Sequence, residues 1–255
     1  MRVPASRFAF VLVETLYPGN VGATARALKN NGFRGLNLVN GPKFDAEARK
    51  MAWKSLDVLR AAKRHKTLDA AVRSAKFVFG FSSRPRRLDR PLLEFDDALP
   101  QILEAGRKGK VALLFGREDR GLTRDELEGC HCLVRIDAEK QRAVYNLSQA
   151  VLLVAYRLRR ARLGLDSAVP EASTPRSPLL SILDSKLTSG ARAHLRSKIR
   201  SALVALGYEE LADPGLLERI VARSDRLLDR SGMDESDLAM LLGVIRRIEG
   251  CRDRR

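Results

Sequence analysis

Three short stretches place polar residues at spacings that chemistry could use. Asn20-Val21-Gly22 is followed by Arg26, six positions after the asparagine. Gly116 and Gly121 bracket the charged turn Arg117-Glu118-Asp119-Arg120, and Val144-Tyr145-Asn146 precedes a long apolar-periodic run. A fourth stretch, Gly80-Phe81-Ser82-Ser83-Arg84-Pro85-Arg86-Arg87, gathers two serines and three arginines. That composition suits phosphate contact, and it equally suits a solvated loop. An arginine such as Arg26 is a poor base, because its pKa lies above about 12, but its planar fork can clamp a phosphate or a developing oxyanion. Cys130-His131-Cys132 has the residue types of half a metal site. No second Cys/His pair stands at ligand spacing, so no metal is expected and the thiols are read as buried or idle.

The elements that must hold these stretches follow from apolar patterning. Phe8–Val13, Leu36–Val39, Phe77–Phe79, Val111–Phe115 and Leu133–Ile136 read as buried strands. Between them run helical patterns: Val21–Asn30 with Asn20 as N-cap, Ala46–Ala62, Leu68–Ser74, and Leu99–Ala105 with Pro100 in its first turn. Leu147–Leu163 follows, capped by Asn146. Trp53 is read as a core residue in preference to a base-stacking platform. Strands alternating with helices predict an α/β fold, a largely parallel sheet covered on both faces, with ligands bound by loops at the carboxyl ends of the strands. Glycine spacing alone does not separate such loops from ordinary connections. Residues 164–178 contain three prolines and no apolar period and read as a linker between a domain at 1–163 and a small all-helical domain at 179–255.

Bulk composition narrows the partner. Lys and Arg total 47 against 31 Asp and Glu, a net of +16. From Arg176 onward there are 15 basic and 12 acidic residues, a net of +3, which leaves +13 on the first 175. A polyanion, most simply nucleic acid, is the partner this implies, with its footprint on the N-terminal domain. Three cysteines are too few for a disulfide framework, and no apolar run reaches 18 residues. A protein of the cytoplasm, away from membranes, is the expectation.

Asn20-Val21-Gly22 with Arg26, Leu114 to Leu122, and Ile136 through Asn146-Leu147-Ser148-Gln149-Ala150-Val151 together resemble, in order and spacing, the three signature motifs of the SpoU/TrmH branch of the SPOUT methyltransferases. Leu12-Val13-Glu14-Thr15, Leu38-Val39-Asn40, Ser82-Ser83-Arg84 and the segment Leu238 to Arg246 look like the TrmJ-type tRNA ribose 2′-O-methyltransferases within that branch. The chain departs from the pattern at Val144, where many relatives carry a serine.

The resemblance implies a SPOUT-type sheet ending in a C-terminal trefoil knot, a homodimer with a site built across it, and S-adenosylmethionine as methyl donor. It implies 2′-O-ribose methylation of tRNA at a pyrimidine of the anticodon loop. Ribosomal RNA as substrate and a catalytically silent RNA-binding protein stay open as alternatives. By motif match, Arg26, Asn20, Glu118 and Asn146 are the candidate catalytic residues. Gly116, Ile136, Ala143, Val144 and Tyr145 would hold the cofactor, with Phe81, Ser82 and Ser83 as a neighbouring wall. Tyr145 or Ser148 could supply the hydroxyl that Val144 lacks. Arg84, Arg86, Arg87 and Arg117 are the candidate RNA contacts.

Overall fold

The computed structural model describes residues 2–83, 90–139, 144–165, 187–209, 213 and 215–252. The chain divides into two compact units, Met1–Leu179 and Leu180–Arg255. Most of the expected linker lies outside the described residues. Its first residue, Gly164, caps the preceding helix in the left-handed region at φ 69°, where glycine carries no Cβ penalty.

The first unit is built on a seven-stranded sheet. Its strands are β1 (Phe8–Val13), β2 (Leu36–Val39), β3 (Lys63–His65), β4 (Phe77–Phe81), β5 (Leu92–Glu94), β6 (Val111–Phe115) and β7 (Cys132–Arg135). Every pairing is parallel, in the order β3-β2-β1-β6-β4-β7-β5. Both late strands fill slots inside the sheet: β6 lies between β1 and β4, and β7 between β4 and β5. Residues of β1, β2, β4 and β6 are nearly all buried, as continuous apolar runs covered on both faces should be. The edge strands β3 and β5 carry no such run, and sequence patterning passes over them.

Helices α4 (Leu68–Val72) and α6 (Arg124–Glu128) cover one face through Val72 and Leu127, packed with Val11, Val13, Val78, Ala112, Leu114 and Leu133. Phe8 and Phe10 alternate to the other face, where Gly106 of α5 (Phe95–Lys108) meets the Phe8 ring. There α1 (Pro18–Asn30) packs against both α7 (Leu147–Leu163) and α2 (Ala46–Ala52). Among the described residues the second unit contributes three helices, Ser189–Ala205, Leu216–Arg230 and Glu235–Arg252. Leu195, Ala202, Met233 and Ile245 are buried within it. No helix among the described residues is long and apolar enough to cross a membrane.

Five expectations need correction. α1 begins at Pro18, with Tyr17 as N-cap, so Asn20 lies inside the first turn and its side chain is released from capping; proline pre-sets the helical φ and moves the start forward. α5 begins at Phe95, which leaves Pro100 in the helix interior. β4 runs on to Phe81, because Gly80 gives room for Cys130: a Cβ at 80 would stand 2.7 Å from its Sγ. The pattern at 46–62 breaks into α2, a 3₁₀ turn at Trp53–Ser55 and α3 (Leu56–Arg60). Trp53 is not in the core: it is 62% exposed, with φ 49° and ψ −122°. α2 seats on α1 so closely that a Cβ on Gly22 would lie 2.0 Å from the Ala48 carbonyl oxygen. An indole cannot enter such a seam, and the break turns it outward.

Candidate active site

The first rung of the site is the end of the sheet. Leu12 pairs with Phe115, Phe115 with Phe81 and Phe81 with Val134, so the loops after β4, β6 and β7 leave the sheet level with the β1–α1 turn. The Phe81 and Phe115 rings stack at 4.7 Å and 6° between planes. Above them opens a cavity of about 180 Å³, far larger than the voids a packed core leaves. Its lining includes Phe81, Ser82, Ser83, Gly116, Ile136, Val144 and Tyr145. The structure therefore brings together seven of the eight expected cofactor residues. Ala143 lies outside the described residues, as do Arg84, Arg86 and Arg87. Sequence reasoning missed Phe115, Asp119, Arg120, Leu147 and Ala150 in the lining. Of these, Phe115 was foreseeable, since it is the last strand residue before Gly116.

A carboxylate ties the loops together. Glu118 Oε1 accepts from Thr15 Oγ1 and from Asn20 Nδ2, each at 2.7 Å, and Oε2 accepts from the Leu16 N–H at 2.9 Å. Asn20 Oδ1 in turn accepts from Asn146 Nδ2 at 3.1 Å. Three of the four expected catalytic residues thus form one chain across the β1–α1, β6–α6 and β7–α7 connections. Burial alone would raise the Glu118 pKa; the bonds from Asn20, Leu16 and Thr15 outweigh it and hold the carboxyl below its ordinary value. Asn146 also caps α7, its Oδ1 accepting from Ser148 N at 2.9 Å and Ser148 Oγ at 2.8 Å. The Ser148 hydroxyl is thereby committed to the cap. The Tyr145 hydroxyl donates to the Asp137 carbonyl at 3.2 Å.

Arg26 stands apart on α1. It is exposed, does not line the cavity, and among the described residues no hydrogen bond or ion pair holds it. A long exposed cation on the helix that also carries Asn20 is available to a substrate phosphate or oxyanion.

Arg117 corrects the expectation of an RNA contact. Its side chain is 4% exposed and faces inward, 2.6 Å from Glu14 Oε2 and 2.9 Å from Glu126 Oε2. Glu126 first, then Glu14, raise its pKa against the opposing effect of burial. Glu126 also accepts from the Thr123 N–H at 2.7 Å within a capping box at the start of α6. The guanidinium thus clamps the β6–α6 loop to the end of β1, where Glu14 sits at φ 48°. Gly116 is glycine for the same loop: a Cβ there would lie 2.2 Å from the Gly121 carbonyl carbon and the Leu122 nitrogen. The close approach that demands glycine here is loop on loop.

Cys130 and Cys132 are buried in the core, and burial pushes both thiols up to about 12. His131 Nδ1 accepts from the Val78 N–H at 3.0 Å. Among the described residues no cluster of His, Cys, Asp or Glu is arranged to hold a metal ion.

An open parallel sheet with a ligand-sized cleft across the loops at its carboxyl ends defines a class, the α/β proteins that bind small ligands at that edge. Residues 7–156 match the SpoU rRNA Methylase family, and the chain belongs to that family. It is 35% identical over 243 residues to the tRNA (cytidine/uridine-2′-O-)-methyltransferase TrmJ of Sodalis glossinidius, covering 94% of this chain and 90% of that protein. It is 34% identical over 244 residues to the tRNA (cytidine/uridine/adenosine-2′-O-)-methyltransferase TrmJ of Pseudomonas aeruginosa, covering 94% and 92%. The fold matches the crystal structure of TrmJ from Z. mobilis ZM4 with a TM-score of 0.76, over 94% of this chain and 98% of that one, at 22% identity.

Proposed function

We propose that the protein transfers a methyl group from S-adenosylmethionine to a ribose 2′-hydroxyl of tRNA, at a pyrimidine of the anticodon loop. The observation that carries this is the single network joining Asn20, Glu118 and Asn146 at the mouth of the cleft, in a chain about one-third identical to tRNA 2′-O-methyltransferases over nearly its whole length. The lining fits the donor. An aromatic and aliphatic floor suits adenine, the Glu118 and Asp119 carboxylates suit a sulfonium and an ammonium, and Arg120 suits a carboxylate. S-adenosylmethionine, when bound, supplies a methyl group already activated on sulfur. The loops that follow β4, β6 and β7 hold it, and Glu118 fixes the β6–α6 loop by its bonds to the β1–α1 turn. As the methyl–sulfur bond breaks and the methyl–oxygen bond forms, the 2′-hydroxyl proton passes to solvent water, and the work left to this chain is orientation and charge stabilisation. Arg26 clamps the target phosphate or the developing alkoxide, and Asn20 and Asn146 set the geometry of the turn that presents it.

Two finer features belong to the same proposal. The chain threads a trefoil knot through 111–156; insertion of β6 and β7 into slots between earlier strands supports this. The first unit works as a homodimer with the site built across it, and Leu152 and Tyr156, exposed one turn apart on α7, offer an apolar contact. The test is methyl transfer by the purified protein from S-adenosylmethionine labelled in the methyl group, with tRNA and ribosomal RNA offered separately. Label should enter tRNA and be released on digestion as 2′-O-methyl pyrimidine nucleoside. Label confined to ribosomal RNA, or found on a base, contradicts the proposal.

A further inference from the structure

Trp53 is unexplained by packing. It is the only tryptophan of the chain, it is 62% exposed, and it holds φ 49°, ψ −122°, a conformation that costs a bulky residue appreciably and persists where function demands it. Its position can be read along α1. A Cβ on Gly22 would touch Ala52 N at 3.0 Å, and two turns further on Lys29 Nζ donates to the Lys54 carbonyl at 2.7 Å. The segment 52–54 therefore lies against α1, the helix that carries Arg26. Gly22 and Arg26 share a face of α1, being four residues apart. Exposed Lys50 and Lys54 flank the indole in sequence, within a domain whose first 175 residues carry a net of +13.

We infer that Trp53 is a stacking platform for an unpaired base of the RNA substrate, next to the nucleotide that Arg26 clamps. The inference rests on the proposed RNA methyltransferase function. A flat π-surface among cations is the combination that single-stranded nucleic acid requires, because every base presents a stacking face and every linkage a phosphate. At Trp53 the backbone leaves the helical region, and the ring is presented to solvent.

The lone tryptophan makes the test direct. Titration with tRNA should quench Trp53 fluorescence in step with binding measured by mobility shift. Trp53→Ala should weaken tRNA binding about fivefold or more, the loss expected for one base–aromatic stack, and Trp53→Phe should keep most of the affinity. Trp53→Gly removes the ring and relieves the backbone, so it should weaken tRNA binding without lowering Tm, whereas a structural indole would make Tm fall. Binding and methyl transfer by wild-type protein with unchanged fluorescence, or full tRNA affinity in Trp53→Ala, overturns this inference alone. So does fluorescence that varies with protein concentration in the absence of RNA, which would place the indole between copies of the chain. Failure of wild-type protein to methylate any RNA overturns the function itself, and the platform with it.

Discussion

Arg117 turns its charge inward, and two carboxylates depend on it. Arg117→Ala leaves Glu126 without its cation and Glu14 with only the Arg120 guanidinium 4.0 Å away, and removing one partner of a buried pair is strongly destabilising. Glu14 is 38% exposed, which discounts the loss to about 2–3 kcal/mol. Thermal melting should show it as a clear drop in Tm, while tRNA affinity per folded molecule stays close to wild type. A stable variant with weakened tRNA binding would restore Arg117 as an RNA contact. Glu118 and Glu126 set the acid limit of the same loop. Both carboxyls are held below their ordinary value once folded: burial opposes the shift, and bonds from Asn20 on Glu118 and from Arg117 on Glu126 outweigh it. A depressed folded pKa contributes stability above the unfolded value, about 4.3, and loses it as pH falls through the folded one. Tm should therefore hold through neutral pH and fall below about pH 4.3, and Glu118→Gln should flatten that fall. An equally steep fall in the variant would contradict the assignment.

At the scale of elements, the site is the loops after β4, β6 and β7, held level with the β1–α1 turn by the rung Leu12, Phe115, Phe81 and Val134. Gly116 permits the middle loop to fold back on itself, so even Gly116→Ala should displace Gly121 and Leu122 and abolish S-adenosylmethionine binding in calorimetry. Undiminished affinity would show that the loop tolerates the shift. Strands β1, β2 and β6 and helix α7 are legible in the sequence to the residue, because each is a continuous apolar run or a capped periodic one. The edge strands β3 and β5 are not: three partly exposed residues each leave no apolar signature. Nor could the linear chain show that Arg117 points inward, since its partner Glu14 stands 103 positions away. Asn20 is legible as a functional asparagine but not in its role, because Pro18 moves the helix start past it and frees its amide for Glu118. Trp53 reads as core by residue type alone; the glycine–alanine seam that expels it exists only once α1 and α2 meet.

The whole molecule carries +16, mostly on the first unit, and this field should dominate its grip on RNA. With several phosphate contacts, tRNA affinity should fall by orders of magnitude between about 50 and 200 mM salt. A flat response would contradict a phosphate-based footprint. The homodimer proposal requires sedimentation at twice the chain mass at micromolar concentration; an active monomer would contradict a site built across two copies. The central claim is that this cleft and Arg26 place a methyl group on a ribose oxygen of tRNA. Its most direct test is mass-spectrometric mapping of 2′-O-methyl nucleosides in tRNA from a strain lacking the gene, complemented either with the wild-type chain or with Arg26→Ala. An anticodon-loop 2′-O-methylpyrimidine should disappear on deletion, return with the wild-type chain and stay absent with Arg26→Ala. An unchanged tRNA methylation profile on deletion, or full restoration by Arg26→Ala, would contradict that claim.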